Sequence, residues 1–419
     1  MRILILGINY FPERTSVSPF TTGLCEHLVS RGHDVQVVTA FPYYPEWRIW
    51  KEYRGHLTQN EVRRGVKIRR VRHFIPWRAS SLIQRLLHDF SFTGAALAAG
   101  LAVGQCDVIY CSCPPPALAL AAYALSRLKN VSYVIKLTDL ASEAALATGI
   151  LREGVLVRCA RAMETFVYRR AQTVICLCAS FRRELMQNGI PADRLLLIPD
   201  WGDTEAIRPV RSDGSFRKAN GIEGEKFVVL HTGNMGKKQG LMNVVRAAAL
   251  SAGDPTLLWV IVGEGEERAS LEREIGARRL SNLLLLPLQP AERLSQLYAA
   301  ADALLLNQKT AVKDAVIPSK LLTYMAAGQP ILCAACPESV ASHLIREAKC
   351  GVMAAPEDPD ALVAGAITLR ADPSLRREMG ANGRTYAQRH YNKARVLDLY
   401  DQFFESLMEP PSAVAVAAD

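Results

Sequence analysis

Short apolar runs alternate with amphipathic stretches along almost the whole chain, and that alternation leaves few folds open. The first half reads RILILGINY, DVQVVTA, VKIRRV, DVIYCS, YVIKLTD, TVICLC and LLLIP, with helical-period segments between the runs. The second half continues with KFVVLHTGN, LLWVIVGEG, NLLLLPL, ADALLLN, PILCAA and CGVMAA. Strands this short, separated by helices, are βαβ units on a mostly parallel sheet. The rhythm breaks at IPDWGDTEAIRPVRSDGSF, where Pro, Gly and Asp interrupt it. The fold class is therefore α/β: two Rossmann-like domains whose parallel sheets face an interdomain cleft. At 419 residues the chain exceeds one ordinary core, which requires the same division. The boundaries predicted are 1–202 for the N-terminal domain and 203–391 for the C-terminal one. The last helix, 392–409, is expected to pack back on the N-terminal domain, with 410–419 as a frayed tail.

Apolar residues make up 49% of the chain and charged residues 22%, the balance of a soluble globular protein. No apolar run approaches the ~20 residues that span a bilayer. MRILILGINYF carries one basic residue and no small-residue cleavage site, so it reads as a first strand rather than a signal peptide. Of the ten cysteines, Cys111, Cys113, Cys176 and Cys178 sit in strand-like runs, as small buried hydrophobes do. Cys333 and Cys336 form a lone CxxC without a second pair or nearby histidines, so no metal site is expected. These features describe a reduced, cytoplasmic protein.

The net charge is +9, and its placement matters more than its size. Between Arg48 and Arg85 stand eleven Lys/Arg against two Glu. A charge run is usually a solvated face. Here Trp47, Trp50, Tyr53, Phe74 and Trp77 are interleaved, and SLIQRLLHDFSF follows with apolar residues at helical spacing. Basic, aromatic and amphipathic together describe a surface that lies on anionic lipid. Arg63, Arg64, Arg69, Arg70 and Trp77 are the candidate contacts to that membrane or to a ligand borne on it. No nucleic-acid-binding motif accompanies the patch, and nucleic acid is not expected as a partner.

Open α/β sheets bind ligands outside the carboxyl ends of their strands, so the loops there matter most. GINYFPERTSVSPFTTGL, after the first strand, lacks the G-x-G-x-x-G spacing and reads as a connection. In HTGNMGKKQGL, Gly233, Gly236 and Gly240 bracket Lys237 and Lys238 between a strand and a helix. Glycines let a backbone approach phosphate and lysines neutralise it. VGEGEER places Gly263 and Gly265 around Glu264, a weaker signal. PSKLLTYMAAG opens a helix with Pro318 in its first turn and Ser319 able to cap it. Lys320 there has the wrong sign for a helix N-terminus unless an anion sits beside it. Two cationic cradles at strand ends of one domain suit a diphosphate. In the other domain Asp139 follows the strand YVIKLTD, either as a ligand-contacting group or as a helix N-cap.

With these stretches in place, the chain resembles the GT-B-fold glycosyltransferases of family 4, in the branch that builds colanic acid and O-antigen. NYFPE, SRGHDVQVVTAFPYYP, YRRAQTVICLC, IPDWGDTEAIRP, HTGNMGKKQGL, IVGEGEE, AADALLLN, IPSKLLTYMAAGQPIL and GANGRTYAQRHY carry the resemblance. It implies transfer of a sugar from a nucleotide-sugar, usually with retention and without metal or other cofactor, a UDP-sugar being preferred over a GDP-sugar. It places the donor on the C-terminal domain and a lipid-linked oligosaccharide or polyprenyl-diphosphate sugar acceptor on the N-terminal one. The enzyme would work in the cytoplasm, peripherally on the inner face of the plasma membrane. Under the resemblance, Asn234, Lys237 and Lys238 belong to the diphosphate loop and Lys320 lies near the leaving phosphates. Glu264 and Leu288 lie where the nucleoside is held, and Asp139 reaches the transferred sugar.

The chain departs from the family at particular positions. Many members carry two glutamates eight positions apart, at the places of Ala315 and Thr323 here. The second usually anchors the ribose hydroxyls, and a threonine supplies only part of that bonding. Asp200 stands where the family often has Asn. Two rival readings share the architecture. A sugar-nucleotide 2-epimerase would need acid/base side chains, for which the strand ends offer Asp139 and His231. A non-catalytic nucleotide- or lipid-binding partner of a transferase would explain Thr323.

Overall fold

The computed structural model describes residues 1–408 apart from 15, 79–80, 140–153, 223 and 312–317. Ala315, the tail 410–419 and the stretch following Asp139 therefore lie outside the described residues. The chain forms two compact units. Unit 1 is Met1–Asp200 together with the residues from Ala394 onward, and unit 2 is Trp201–Lys393.

Unit 1 holds β1 (Arg2–Gly7), β2 (Asp34–Ala40), β3 (Thr58–Arg63), β4 (Val66–Val71), β5 (Val108–Cys113), β6 (Ser132–Leu137), β7 (Thr173–Cys176) and β8 (Leu195–Leu197). They form one sheet in the order β3-β4-β2-β1-β5-β6-β7-β8, with every neighbouring pair parallel except β3 and β4. A sheet with helices on both faces needs strands that are apolar on both, and β5 (VIYCSC) is buried at every position. The sequence pattern does not anticipate β3. TQNEVR has no apolar run and no buried residue, and it is held as an edge by its ladder to β4. The turn between them puts Arg64 and Gly65 at φ 47° and 80°, the left-handed conformation a tight hairpin requires.

The helix Lys393–Ser406 completes unit 1 from the far end of the chain. Tyr400 and Phe404 are buried beside Tyr110, with the two phenol oxygens 3.2 Å apart. Asp401 bonds His27 Nε2 at 2.8 Å and accepts from Arg31 Nε at 2.7 Å.

Unit 2 holds β9 (Phe227–Asn234), β10 (Leu257–Glu264), β11 (Leu283–Leu286), β12 (Ala303–Asn307), β13 (Ile331–Ala334) and β14 (Gly351–Ala354), all parallel, in the order β11-β10-β9-β12-β13-β14. Trp259 at the centre of β10 is fully buried, and its indole N–H donates to Ser251 Oγ at 3.0 Å. Burying a side chain of that size stabilises the fold by roughly 3 kcal/mol. The segments by which the chain enters and leaves unit 2 run side by side. Gly202 N donates to Tyr391 O at 2.8 Å, and Asn392 Nδ2 donates to Thr204 Oγ1 at 2.8 Å.

All ten cysteines are free thiols; Cys111, Cys113, Cys176, Cys333 and Cys336 are buried, whereas Cys178, past the end of β7, is only half-buried. Burial pushes the Cys176 thiol up to about 12. Among the described residues, no group of three or more His, Cys, Asp or Glu is arranged to hold a metal ion. No helix among them is long and apolar enough to cross a membrane.

Candidate active site

In unit 2 the strand order changes direction between β9 and β12, which is where an open α/β sheet receives a ligand. The glycines of this region are demanded by backbone contact. β9 and β10 stay paired out to Gly233 with Gly263 and Asn234 with Glu264. A Cβ on Gly263 would stand 1.8 Å from Gly233 O, and one on Gly265 would stand 2.7 Å from Met235 N. Met235 N donates to Glu264 O at 2.8 Å and Glu267 N donates to Met235 O at 3.0 Å, so the two glycine loops are laced together. The far end of the first loop is held by Asn307, whose Nδ2 donates to the carbonyls of Gln239 at 2.6 Å and Gly240 at 3.1 Å.

The helix Ser319–Ala327 begins beside these loops. Pro318 takes the cap position with extended ψ (107°), and no side chain caps the helix. Ser319 is therefore the first helical residue and not the cap, because the proline ahead of it already occupies the non-helical turn. Tyr324 accepts Thr232 N at 2.9 Å through its buried hydroxyl, which bolts the helix to β9. One turn earlier, Lys320 Nζ lies 3.2 Å from His231 Nε2 and 3.2 Å from Gln239 Oε1. His231 is fully buried and its Nδ1 bonds Leu305 O at 3.1 Å. Burial, with the Lys320 charge adding to it, pushes the imidazole well below its ordinary value. Burial likewise pushes Lys320 down to about 7, and among the described residues no carboxylate ion-pairs with it. A half-buried lysine with only neutral partners at an uncapped helix start is a ready receptor for an anion.

The other predicted residues divide around this centre. Asn234 lies against the positions where Cβ atoms on Gly236 and Gly265 would stand. Lys237, exposed, and Lys238, half-buried, form the short helix Lys237–Gln239 on the same loop. Gly233 is within reach of Lys320, since a Cβ on it would stand 3.7 Å from Nζ. Thr323 shares the Lys320 face, and its hydroxyl donates back to Ser319 O at 3.4 Å. Glu264 turns its carboxylate to Arg268 at 3.3 Å, and Leu288 lies half-exposed beyond the edge strand β11. The sequence reading does not place Gln239 or Asn307 in the site, and it considers His231 only as an acid/base. Both ring nitrogens of His231 are engaged, which removes it from that role.

In unit 1, Asp139 is half-buried two residues beyond β6, and its charge acts on the buried phenol of Tyr168. Lys136, on β6, is another residue the sequence reading misses. It is almost wholly buried, and its Nζ meets Asp200 Oδ1 at 2.5 Å. Burial acts to lower its pKa, but the Asp200 charge and Tyr400 outweigh it and the net shift is upward. Asp200 is thus committed to a buried ion pair. Glu13, after β1, is also internal: its carboxylate accepts the N–H groups of Tyr43 at 2.8 Å and Tyr44 at 2.7 Å.

The basic segment needs correction at the level of single residues. Arg70 cannot lie on a membrane surface, because it is fully buried, bonding Glu61 Oε1 at 2.7 Å and Phe11 O at 2.6 Å. Arg63 and Arg64 both pair with Glu26, and Arg69 is half-buried. Trp77 is 75% exposed. The helix Leu82–Leu101 buries His88, Phe92, Ala96 and Ala99 on one side. On the other it exposes Ile83 (71%), Leu86 (41%), Leu87 (52%) and Phe90 (52%), the i, i+3, i+4, i+7 set of a continuous stripe.

Comparison with known proteins places this geometry. Residues 16–201 match the model of the glycosyl transferase 4-like domain, and residues 212–386 match that of glycosyl transferases group 1. WcaI of Escherichia coli (strain K12), named as a colanic acid biosynthesis glycosyl transferase, is 30% identical over 415 residues, 95% of this chain and 98% of the relative. Among solved structures, sucrose-phosphate synthase from Thermosynechococcus elongatus superposes with a TM-score of 0.77 at 17% identity, covering 97% of this chain and 98% of that one. Anabaena HepE, solved in complex with UDP-glucose, gives a TM-score of 0.72 at 17% identity, covering 97% of this chain and 100% of that one. The chain belongs to the group 1 glycosyl transferases and is an enzyme of that family with the GT-B fold.

Proposed function

We propose that the protein transfers a sugar from a nucleotide-sugar, a UDP-sugar in preference to a GDP-sugar, to a lipid-linked glycan during assembly of a cell-surface polysaccharide. The observation that carries this reading is Lys320, held among the described residues by neutral acceptors alone, beside two glycine loops and an uncapped helix start. Negative charge develops on the diphosphate as the sugar leaves, and preorganised positive groups lower that barrier most. In the retaining course, the bond from the anomeric carbon to the phosphate oxygen breaks while the acceptor hydroxyl attacks on the same face. The departing phosphate oxygen takes the hydroxyl proton, so no carboxylate base and no metal is required. Asp139 is assigned to support positive charge at the reacting carbon. WcaI is named for colanic acid biosynthesis, and HepE was solved with UDP-glucose, which supports this choice of pathway and donor.

The acceptor side of the proposal includes an anionic bilayer, on the cytoplasmic face. The stripe Ile83, Leu86, Leu87 and Phe90, with Trp77 and the exposed Arg72 and Arg78, supports it by matching apolar depth to lipid and positive charge to headgroups. The test is product analysis with purified protein, a panel of nucleotide-sugars and polyprenyl-diphosphate-sugar acceptors, with and without a chelator. Sugar transfer that survives chelation and requires the lipid-linked acceptor supports the reading. Transfer abolished by EDTA, or epimerised nucleotide-sugar as the product, defeats it.

A further inference from the structure

We infer that His231 is a positioning residue that holds Lys320 as a neutral acceptor, so that binding of a nucleoside diphosphate is coupled to proton uptake at Lys320. This rests on the diphosphate reading of the site. His231 donates from Nδ1 to the Leu305 carbonyl, which leaves the Nε2 lone pair as the side facing Lys320. Gln239 Oε1 supplies the second acceptor, and Asn307 fixes the backbone of that glutamine. A carboxylate in either place would cancel the lysine's charge before any ligand arrived. A neutral imidazole and an amide aim the amine and leave its charge available.

Among the described residues, the neighbouring elements bring both basic and acidic groups. The first loop contributes Lys237 and Lys238, and Lys309 after β12 lays its side chain along Gly240. Glu264 is turned to Arg268, and Glu267 lies within the influence of Lys309, Glu266 and Lys237. The helix of Lys320 itself brings Ser319, Thr323 and Tyr324, and burial raises the phenol of Tyr324, so none of these is anionic at neutral pH. Burial lowers Lys320 to about 7 in the free protein. A diphosphate placed against it favours the ammonium and raises that value. Well above pH 7 the free protein holds the amine, and binding takes one proton from solvent to make the ammonium. As the pH falls through 7 the site is already charged, and uptake declines.

The experiment is titration calorimetry of the full chain with UDP, GDP, ADP and dTDP, each in buffers of different ionisation enthalpy. At about pH 8.5 the phosphates of the ligand are already deprotonated, since their last proton leaves near ~6. The dependence of heat on buffer then counts protons entering the protein. The expected count is close to one for the wild type and falls as the pH is lowered. Lys320→Arg, whose guanidinium stays charged, is expected to bind with no uptake. His231→Leu should weaken binding by about tenfold, the size of a lost hydrogen bond to a charged group. His231→Gln, which keeps an acceptor, should recover most of it. Binding by the wild type with no uptake overturns the inference and leaves the diphosphate reading standing. Uptake that persists in Lys320→Arg, or unchanged affinity in His231→Leu, overturns it too. Failure of all four nucleotides to bind overturns both readings. Should His231→Leu not fold, the wild-type and Lys320→Arg counts decide the matter.

Discussion

Each unit of the molecule sets a lysine near the carboxyl end of its sheet, almost wholly buried in unit 1 and half-buried in unit 2, and the two are treated in opposite ways. Lys136 in unit 1 meets Asp200 at 2.5 Å, and its pKa stands above the ordinary lysine value despite burial. Lys320 in unit 2 has two neutral partners at 3.2 Å and falls to about 7. A buried charge with a full counter-charge is satisfied, and removing its partner is costly to the fold. A buried charge with only dipoles around it is a standing cost that a ligand can relieve. The pairing, more than the burial, separates a lysine that holds the structure from one that waits for substrate.

That contrast can be broken most forcefully at Asp200. Asp200→Ala strands the Lys136 ammonium and is expected to cost about 3–5 kcal/mol in denaturant unfolding. The double change Lys136→Met/Asp200→Leu should recover most of this, and failure to recover would mean that more than the ion pair was lost. Lys320→Ala is expected to lower kcat by about 10²–10³. Its folding stability should be unchanged or higher, the reverse of Asp200→Ala. Its companion is a pH test on the nucleotide-free protein. Because the folded Lys320 binds its proton less tightly than the unfolded one, stability from this group rises with pH between about 7 and ~10.4. Lys136, shifted upward, keeps its contribution below the ordinary lysine value and loses it only as the pH rises through its higher folded one. A thermal-shift series over pH on wild type and Lys320→Met should show the rise in the first and its loss in the second.

Asp139→Asn preserves shape and capping ability while removing charge, and turnover is expected to fall at least about tenfold with little change in melting temperature. Near-normal turnover would return Asp139 to a structural role. The smallest effect is expected at the surface. Arg78→Glu should weaken binding to anionic vesicles by roughly 1 kcal/mol or more, several-fold in affinity, with less effect at high salt. Arg70→Met, by contrast, should act on folding, and a vesicle defect without lost stability would reverse its present placement.

The fold was legible in the sequence wherever a strand was apolar on both faces. β1, β5, β9 and β10 announce themselves because a parallel sheet covered on both sides admits little else. β3 was not legible, since an edge strand held by one neighbour needs no apolar run. The glycine loops and Lys320 could be found from spacing and from the sign of a charge at a helix start. Their partners could not. His231 and Gln239 are 89 and 81 residues away from Lys320 in sequence, and only the crossing of β9 with the helix Ser319–Ala327 joins them. A lysine inside the apolar run YVIKL was a visible anomaly, but nothing in the string names Asp200 as its counter-ion. The arginine cluster misled for a related reason: composition counts charges without saying which way they point, and Arg70 points inward.

The return of the helix Lys393–Ser406 to unit 1 also sets an order of birth. A chain made from its N-terminus completes the strands of unit 1 and all of unit 2 before that helix is synthesised. Until then Tyr110 lacks Tyr400 and Phe404, and His27 and Arg31 lack Asp401. Unit 1 therefore spends the whole synthesis of unit 2 with an apolar socket open to the cell. Unit 2, whose entering and leaving segments are tied together by Gly202 and Tyr391, can close on itself as soon as it emerges. The half of the enzyme that is made first is the half that finishes last. A chain truncated after residue 393 and released would display a sealed second unit and an unsealed first one, and chaperones would engage the first.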